Sequence, residues 1–353
     1  MLWNQCSRRV IRRGLLTAAL AGGLAVSAYA LPAAAEDAGG FLKGQTVRIF
    51  VGYSAGGGYD DYARMLGPLF EKKTGATVVV ENRPGGGGLT ALNQLVREKP
   101  DGLTMIMLNG EAAIMGQITN RPGVAYDITK VTNLGRVAKE EHFVLANSKV
   151  PDNAKDLIAY GKTKEIKFSA TSRPDVLSDY AAVFCETFDL KCKIITGYKG
   201  SKEAGLAVMN GEVDAIAISD GSGNKIAQTG KAKVVATLSH NRSPYKADLP
   251  TIYDQFKIPP EKKWLMDFRV DIADYGRAIV APPGMPADKA KYLQKVWKEI
   301  LTDPAVIEQG KKTERDIDYA PPEALDKTSR ELLQSLPADK RKQVDEIILQ
   351  KFS

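Results

Sequence analysis

Short apolar runs alternate with segments of helical spacing along most of this chain, and the first two runs each end in a cluster of glycines. Val47-Arg48-Ile49-Phe50-Val51 leads into Ser54-Ala55-Gly56-Gly57-Gly58-Tyr59-Asp60-Asp61. Thr77-Val78-Val79-Val80 leads into Glu81-Asn82-Arg83-Pro84 and then Gly85 to Gly88. Between them Tyr62, Met65, Leu66, Leu69 and Phe70 recur at helical spacing, which predicts a helix over 59–73. Gly75 is placed to end that helix, and Pro68 to bend or break it. A helix over 88–97 and a strand over 103–108 follow. A second series of strands is predicted at 143–146, 167–170, 193–196, 215–218 and 233–236, and another at 277–281. Pro286 stands near the first turn of a helix whose Ala290, Leu293, Val296, Trp297 and Ile300 share one face, with Asp303-Pro304 stopping it. Such alternation defines an α/β chain. No internal repeat interrupts it.

The amino terminus has a different pattern. Residues 1–35 hold Arg8, Arg9, Arg12 and Arg13 and no acid, then an apolar stretch from Gly14 to Ala30 and the small residues Ala33-Ala34-Ala35. Charged head, short apolar middle and A-x-A exit predict a secretory signal peptide cleaved near Ala35, hence export. Ser7-Arg8-Arg9-Val10-Ile11 also has the form of a twin-arginine signal, and the export route stays open. The alternative is an uncleaved anchor, because the run falls only slightly short of the ~20 residues of a spanning helix.

Without those four arginines the +7 of the whole chain falls to about +3. The remaining lysines and acids are interspersed, with no basic block and no aromatic ladder, so nucleic acid is not a partner. About 318 residues lie beyond position 35, too many for one ordinary core, and two domains are expected. Cys185 and Cys192 remain after Cys6 leaves with the leader. In an oxidising compartment they form a short disulfide; the alternative is two buried thiols.

Candidate chemistry concentrates at the glycine turns. Each joins the carboxyl end of a strand to the amino end of a helix, where ligands of open α/β sheets bind. Free N–H groups and the positive end of the helix dipole favour an anion there, and glycine lets the backbone itself approach. Glu111, after the strand at 103–108, either faces that cleft and favours a ligand with an amine or hydroxyl, or is a solvated loop residue. Asp60 either contacts ligand or bonds within its own turn. Lys199 either meets an anion or sits on a surface turn. Arg83-Pro84-Gly85 reads as a structural turn. Enzyme signatures are missing: His142 and His240 belong to no metal-ligand motif, Gly221-Ser222-Gly223 is too short for a nucleophile elbow, and Ala55 to Gly58 lacks the Lys-Ser/Thr of a phosphate loop. No metal or cofactor is called for, and no enzymatic activity is expected.

Five stretches carry a resemblance. The A-G-G-G-x-D-x-x-A-R run from Ala55 to Arg64 and the V-E-N-R-P-G-x-G-G run from Val80 to Gly88 resemble the Bug, or TctC-type, family. These are extracytoplasmic solute receptors of tripartite tricarboxylate transporters. Gly197-Tyr198-Lys199-Gly200-Ser201, Asn210-Gly211-Glu212-Val213-Asp214-Ala215 and Val280-Ala281-Pro282-Pro283-Gly284-Met285-Pro286 agree in order, so the resemblance runs from about 45 to 320. It implies a two-lobed periplasmic binding protein fold of type II-like form, each lobe a central sheet flanked by helices. Lobe 1 would comprise 44–142 and 277–353, lobe 2 143–276, with the cleft between them. It implies a small carboxylate ligand, such as a di- or tricarboxylate, membrane transporter subunits as partners, a periplasmic location and a monomer. The alternative is a receptor that presents its closed form to a signalling partner.

Carried onto this chain, the family pattern implies ligand contacts from Ser54, Ala55, Gly56, Gly57 and Gly58, from Thr171 and Ser172, and from Ser219 and Asp220. The chain departs from that pattern on the ligand side. Tyr53 stands where phenylalanine is usual and joins the candidate contacts. Arg173 follows Thr171-Ser172 where the family commonly ends a glycine-serine turn in histidine. It is either a bidentate clamp for a second carboxylate or a surface arginine. Asp274-Tyr275-Gly276-Arg277 replaces a tryptophan-bearing approach to the Val-Ala-Pro strand, and Trp264 lies earlier.

Overall fold

The computed structural model describes residues 39–353; the expected leader and Cys6 lie outside them. Among the described residues ten strands form two five-stranded sheets. They are β1 (Thr46–Val51), β2 (Thr77–Asn82), β3 (Thr104–Asn109), β4 (Thr132–Ala138), β5 (His142–Asn147), β6 (Ile166–Ser169), β7 (Cys192–Ile195), β8 (Ala215–Ser219), β9 (Ala232–Thr237) and β10 (Arg277–Ala281). The first sheet has the order β2-β1-β3-β10-β4 and the second β7-β6-β8-β5-β9. In the first, β1 is parallel to β2 and β3 while β10 runs antiparallel to β3 and β4. In the second, β6 is parallel to β7 and β8 while β5 runs antiparallel to β8 and β9. The antiparallel strand of each sheet is thus the one the chain enters on arriving from the other lobe, at 138–142 outward and at 275–277 on the return.

Helices cover the sheets, which is why strands such as β3 and β8 are buried along their whole length and apolar through their interiors. The helix Gly58–Thr74 buries Tyr62, Leu66 and Phe70 and ends at Gly75 in the left-handed conformation, φ 70°. It runs through Pro68, which does not break it. Pro68 is solvent-exposed, so the carbonyl that loses its donor there faces water. The expected helix at 88–97 is a 3-10 turn, Gly86–Gly88, followed by the helix Leu89–Leu95. The helix Ala287–Leu301 buries Leu293, Val296, Trp297 and Ile300 against the first sheet, with Trp297 stacked on Phe70. Cys185 and Cys192 are joined as a disulfide between the helix Val176–Thr187 and β7.

The carboxyl-terminal segment departs from its expected place in lobe 1. The helix Pro322–Ser335 does lie on the first lobe, where Asp326 accepts from Asn133 at 2.7 Å. The turn Glu346–Gln350, however, rests on the helix Val176–Thr187 of the second. Two polar needs hold it there. Ile194 of edge strand β7 donates its N–H to the Phe352 carbonyl at 2.7 Å, covering an open edge. The Arg173 guanidinium donates to the carbonyls of Ile347, Ile348 and Lys351 at 2.8, 2.7 and 2.6 Å, groups that a helix end leaves without partners.

Candidate functional site in the interlobe cleft

Four helices begin at the carboxyl ends of strands and point their amino ends at one region between the lobes: Gly58–Thr74, Gly110–Ile118, Val176–Thr187 and Asp220–Gln228. Two are capped by their own side chains. Asn109 accepts from the Ala112 N–H at 3.0 Å, and Asp175 forms a capping box with Ser178. The helix at Gly58 has glycine at its cap and no side-chain acceptor, so its opening N–H groups keep their positive character. The turn ahead of it is built to hold that shape. Gly56 has φ +79°, and its N–H donates to Asp60 at 2.8 Å. Asp60 also accepts from Arg64 and Asn82. Burial works against the Asp60 charge, but these bonds outweigh it and hold its pKa below the usual carboxylate value.

A cavity of about 30 Å³ lies in front of this helix end, room for a water or two. Gly57, Gly58, Tyr59, Tyr53, Asn109 and Glu111 wall it from the first lobe, and Asp175, Leu177 and Ser219 from the second. Glu140, His142 and Arg277 come from the crossing segments. Arg277 opens β10 and is 5% exposed. Its guanidinium lies 3.8 Å over the Tyr59 ring, pairs through Nε with Glu140 and donates through Nη2 to Ser219 Oγ at 3.2 Å. Burial opposes its charge, yet Glu140 together with Tyr59 and Tyr62 more than offsets that and raises its pKa. A Cβ on Gly58 would stand 3.1 Å from Nη2, so glycine there leaves the guanidinium its place. Nη1 is buried and has no hydrogen-bond partner among the described residues.

A second cluster backs the cavity. Glu111 accepts from Arg269 Nη1 at 2.7 Å through Oε2, while its Oε1 lies 3.9 Å from His142 Nε2. Arg269 is fully buried, lies 4.0 Å over the Tyr180 ring and approaches Asp179 at 3.8 Å. Burial first, then Arg269 and Arg277, hold the His142 pKa far below its usual value, so the ring is neutral. Burial pushes the Asp179 carboxyl up to about 7, against the pull of Arg269.

Of the residues named from the sequence, Tyr53, Gly57, Gly58, Glu111 and Ser219 line one cavity, and Glu111 is buried rather than solvated. It turns the others elsewhere. The Ser54 N–H donates to the Lys199 carbonyl of the other lobe at 2.9 Å. Ala55 and Gly56 lie off the cavity, with Gly56 facing Lys202. The Thr171 hydroxyl is spent on Asp175, and Ser172 faces Gly87. Asp220 accepts from Ser243 Oγ at 2.7 Å and from the Gly221 N–H at 2.8 Å, outside the cavity wall. Burial first, then Glu140, push its carboxyl up to about 8. Arg173 does not reach the cleft, because the carboxyl-terminal carbonyls claim all of its fork.

Arg277, Asp175, Asn109 and Glu140 were missed. Arg277 carried a signal, a charge opening an otherwise apolar buried strand. Asp175 carried another, an aspartate just ahead of an apolar helix.

Two α/β lobes, each entered by the chain from the other and closing polar groups on one cavity, define an interlobe solute-binding protein. The profile described as "Tripartite tricarboxylate transporter family receptor" matches residues 62–336, and the chain belongs to that family of solute receptors, which is not a class of enzymes. It is similar to the protein BugT of Bordetella pertussis (strain Tohama I), 25% identical over 299 residues, spanning 81% of this chain and 84% of BugT. Among solved structures it is similar to the periplasmic binding protein BugD, with TM-score 0.73 and 24% identity over 87% of this chain and 99% of BugD. It is also similar to an R. palustris protein solved with adipate, with TM-score 0.73 and 17% identity over 85% of this chain and 97% of that one.

Proposed function

We propose that this chain captures a small organic acid in the interlobe cavity and delivers it, in the periplasm, to the membrane subunits of a tripartite transporter. The observation that carries the reading is Arg277 Nη1, a buried cationic donor without a partner among the described residues, beside the uncapped helix end at Gly58. A buried donor left unpaired costs about 1–3 kcal/mol, and a carboxylate between Nη1 and the N–H groups of Gly57 to Tyr59 removes that cost with charge-assisted bonds. The family supports the receptor role, the adipate-bound protein supports an acid ligand, and the Cys185–Cys192 disulfide suits an oxidising compartment.

The test is thermal unfolding of refolded protein against aliphatic mono-, di- and tricarboxylates, amino acids, aromatic acids and neutral sugars. An acid at 100 times its dissociation constant adds about 2.7 kcal/mol of stability. Silence from every acid, with a response to a neutral compound, overturns the reading.

A further inference from the structure

We propose that two copies of this chain associate through β2, the open edge of the first sheet, joining their first sheets into one continuous sheet about a twofold axis at Val80. Natural sheet edges are covered or charged, and the other three edges here follow that rule. The segment at 318–320 lies along β4, and the Phe352 carbonyl takes the Ile194 N–H of β7. β9 carries Lys233, exposed and paired with Asp152, and a bridge from Thr237 to Thr251. β2 has no such cover among the described residues. Thr77 and Arg83 donate their N–H groups to the carbonyls of Gln45 and Val51. In this parallel ladder the odd-numbered residues therefore bond β1, and Val78, Val80 and Asn82 turn N–H and carbonyl outward. Of these groups only the Val78 N–H has a partner among the described residues, Glu71 Oε1 at 2.6 Å. Thr77 to Val80 are all β-branched, and Val79 is 42% exposed.

The charges that flank the edge say what covers it. The helix Gly58–Thr74 sets Arg64, Pro68 and Glu71 in one stripe, at helical spacing. Arg64 stands beside Asn82, donating to its side chain through Nη2 at 2.9 Å, and Glu71 stands beside Val78. The edge thus has a cation at one end and an anion at the other. Among the described residues no hydrogen bond reaches Arg64 Nη1 or Glu71 Oε2. Antiparallel pairing about Val80 sets Asn82 opposite Val78 of the other copy. It brings Arg64 against Glu71 of the other copy, twice by symmetry. Glu71 passes the Val78 N–H to the incoming Asn82 carbonyl and turns to the incoming Arg64. The two Val80 residues exchange both of their bonds. Val79 lies opposite Glu81 and diagonal to Val79 of the other copy, so no like charges stand directly opposite. The exposed Pro68 has no N–H to leave unpaired where the two helices pass. Because β2 belongs to the first lobe alone, each copy keeps its second lobe free to close.

The test is sedimentation velocity on the purified protein across about three decades of concentration. The proposal expects a monomer–dimer equilibrium. Val79→Glu places a carboxylate opposite Glu81 of the other copy at two points, and should weaken the dimer at least tenfold. Arg64→Glu alone and Glu71→Arg alone each set like charges against each other, and each should weaken it similarly. An equal mixture of those two variants pairs opposite charges at both positions and should restore the dimer to within about threefold of the unaltered protein, which a loss of local structure would not do. A single monomeric species at every concentration overturns the proposal. So does a dimer indifferent to Val79→Glu, or one that the mixture fails to restore. The concentration series on the unaltered protein stands alone, so failure of a variant to fold does not remove the test.

Discussion

The Tyr53 hydroxyl of the first lobe donates to Asp175 Oδ1 of the second at 2.9 Å, and Asn109 Nδ2 donates to that same hydroxyl at 2.6 Å. The pair spans the cleft, so it forms only when the lobes meet. Tyr53→Phe deletes the bond, leaving a buried carboxylate short of one donor. Hydrogen bonds to charged groups contribute about 1.5–3 kcal/mol, so ligand affinity should fall roughly tenfold. The melting temperature of the ligand-free protein should move less than that of the saturated protein. Calorimetry and paired melts check both.

Asp179 and Asp220 set a pH dependence. Their carboxyls are pushed up to about 7 and about 8, chiefly by burial. Between the unfolded value near 4 and those values the folded chain holds more protons than the unfolded one, so their contribution to stability is full at low pH and is lost as pH rises. His142 acts oppositely below about 6.5, where the unfolded chain takes up the proton that the buried ring refuses. The clean window is therefore pH 6.5 to 8, over which stability should fall. Asp220→Asn fixes the neutral form and should flatten the slope and exceed the unaltered protein in stability at pH 8. Urea unfolding at pH 6.5, 7.25 and 8 reads it.

Arg173 should matter for the tail and not for the ligand. Its three bonds to Ile347, Ile348 and Lys351 tie the last turn to the second lobe. Arg173→Ala should free the carbonyls of that turn and raise amide exchange across 346–352, at a cost of about 1–3 kcal/mol. Affinity for a dicarboxylate and for a monocarboxylate should stay within about twofold. A selective loss for the dicarboxylate would instead return Arg173 to the cleft.

Strands made of β-branched and aliphatic runs, such as β3, β8 and β10, were legible because burial on both faces demands an apolar interior. β4 was not: Thr132-Asn133-Leu134-Gly135-Arg136-Val137-Ala138 mixes polar residues and glycine because it ends the sheet, with only the irregular segment at 318–320 bonded along its outer side. The glycine turn announced the helix end at Gly58, a local feature. Arg277 and Glu140 escaped because their chemistry comes from a non-local event, the side-by-side passage of two crossing segments far apart in the chain. Arg173 misled for the same reason, since only the fold shows that the carboxyl terminus returns to claim it.

The glycine turns should tolerate no side chain that faces the other lobe. Gly87 has φ +63°, and a Cβ there would stand 2.6 Å from Ser172 Oγ and 3.0 Å from the Asp175 Cβ. Gly87→Val combines backbone strain with that collision, and it should hold the lobes apart and weaken binding at least tenfold. Gly57 has ordinary dihedrals, but its Cβ would come 3.1 Å from Ser201 Oγ. Gly57→Val should therefore abolish binding in a folded protein by the same route and by screening the helix N–H groups. Small-angle scattering with and without ligand separates lobe closure from loss of contacts, and unchanged affinity in either variant would count against main-chain recognition.

Arg277 joins binding to the hinge, because one guanidinium touches Glu140 on the outward crossing, Ser219 on the second lobe and the cavity. Arg277→Lys keeps a charge near Glu140 but loses the planar fork and the stack on Tyr59. It cannot serve Glu140, Ser219 and a carboxylate together. Affinity for carboxylates should drop about 10- to 100-fold with a modest loss of stability. Arg277→Met removes the charge altogether and strands Glu140 unpaired, a defect of about 3–5 kcal/mol, so it should lose stability as well as binding. That split distinguishes a ligand contact from a purely structural arginine. If the lysine variant melts lower yet binds acids as before, Arg277 only ties the crossing segments, and the carboxylate is held by the helix end alone.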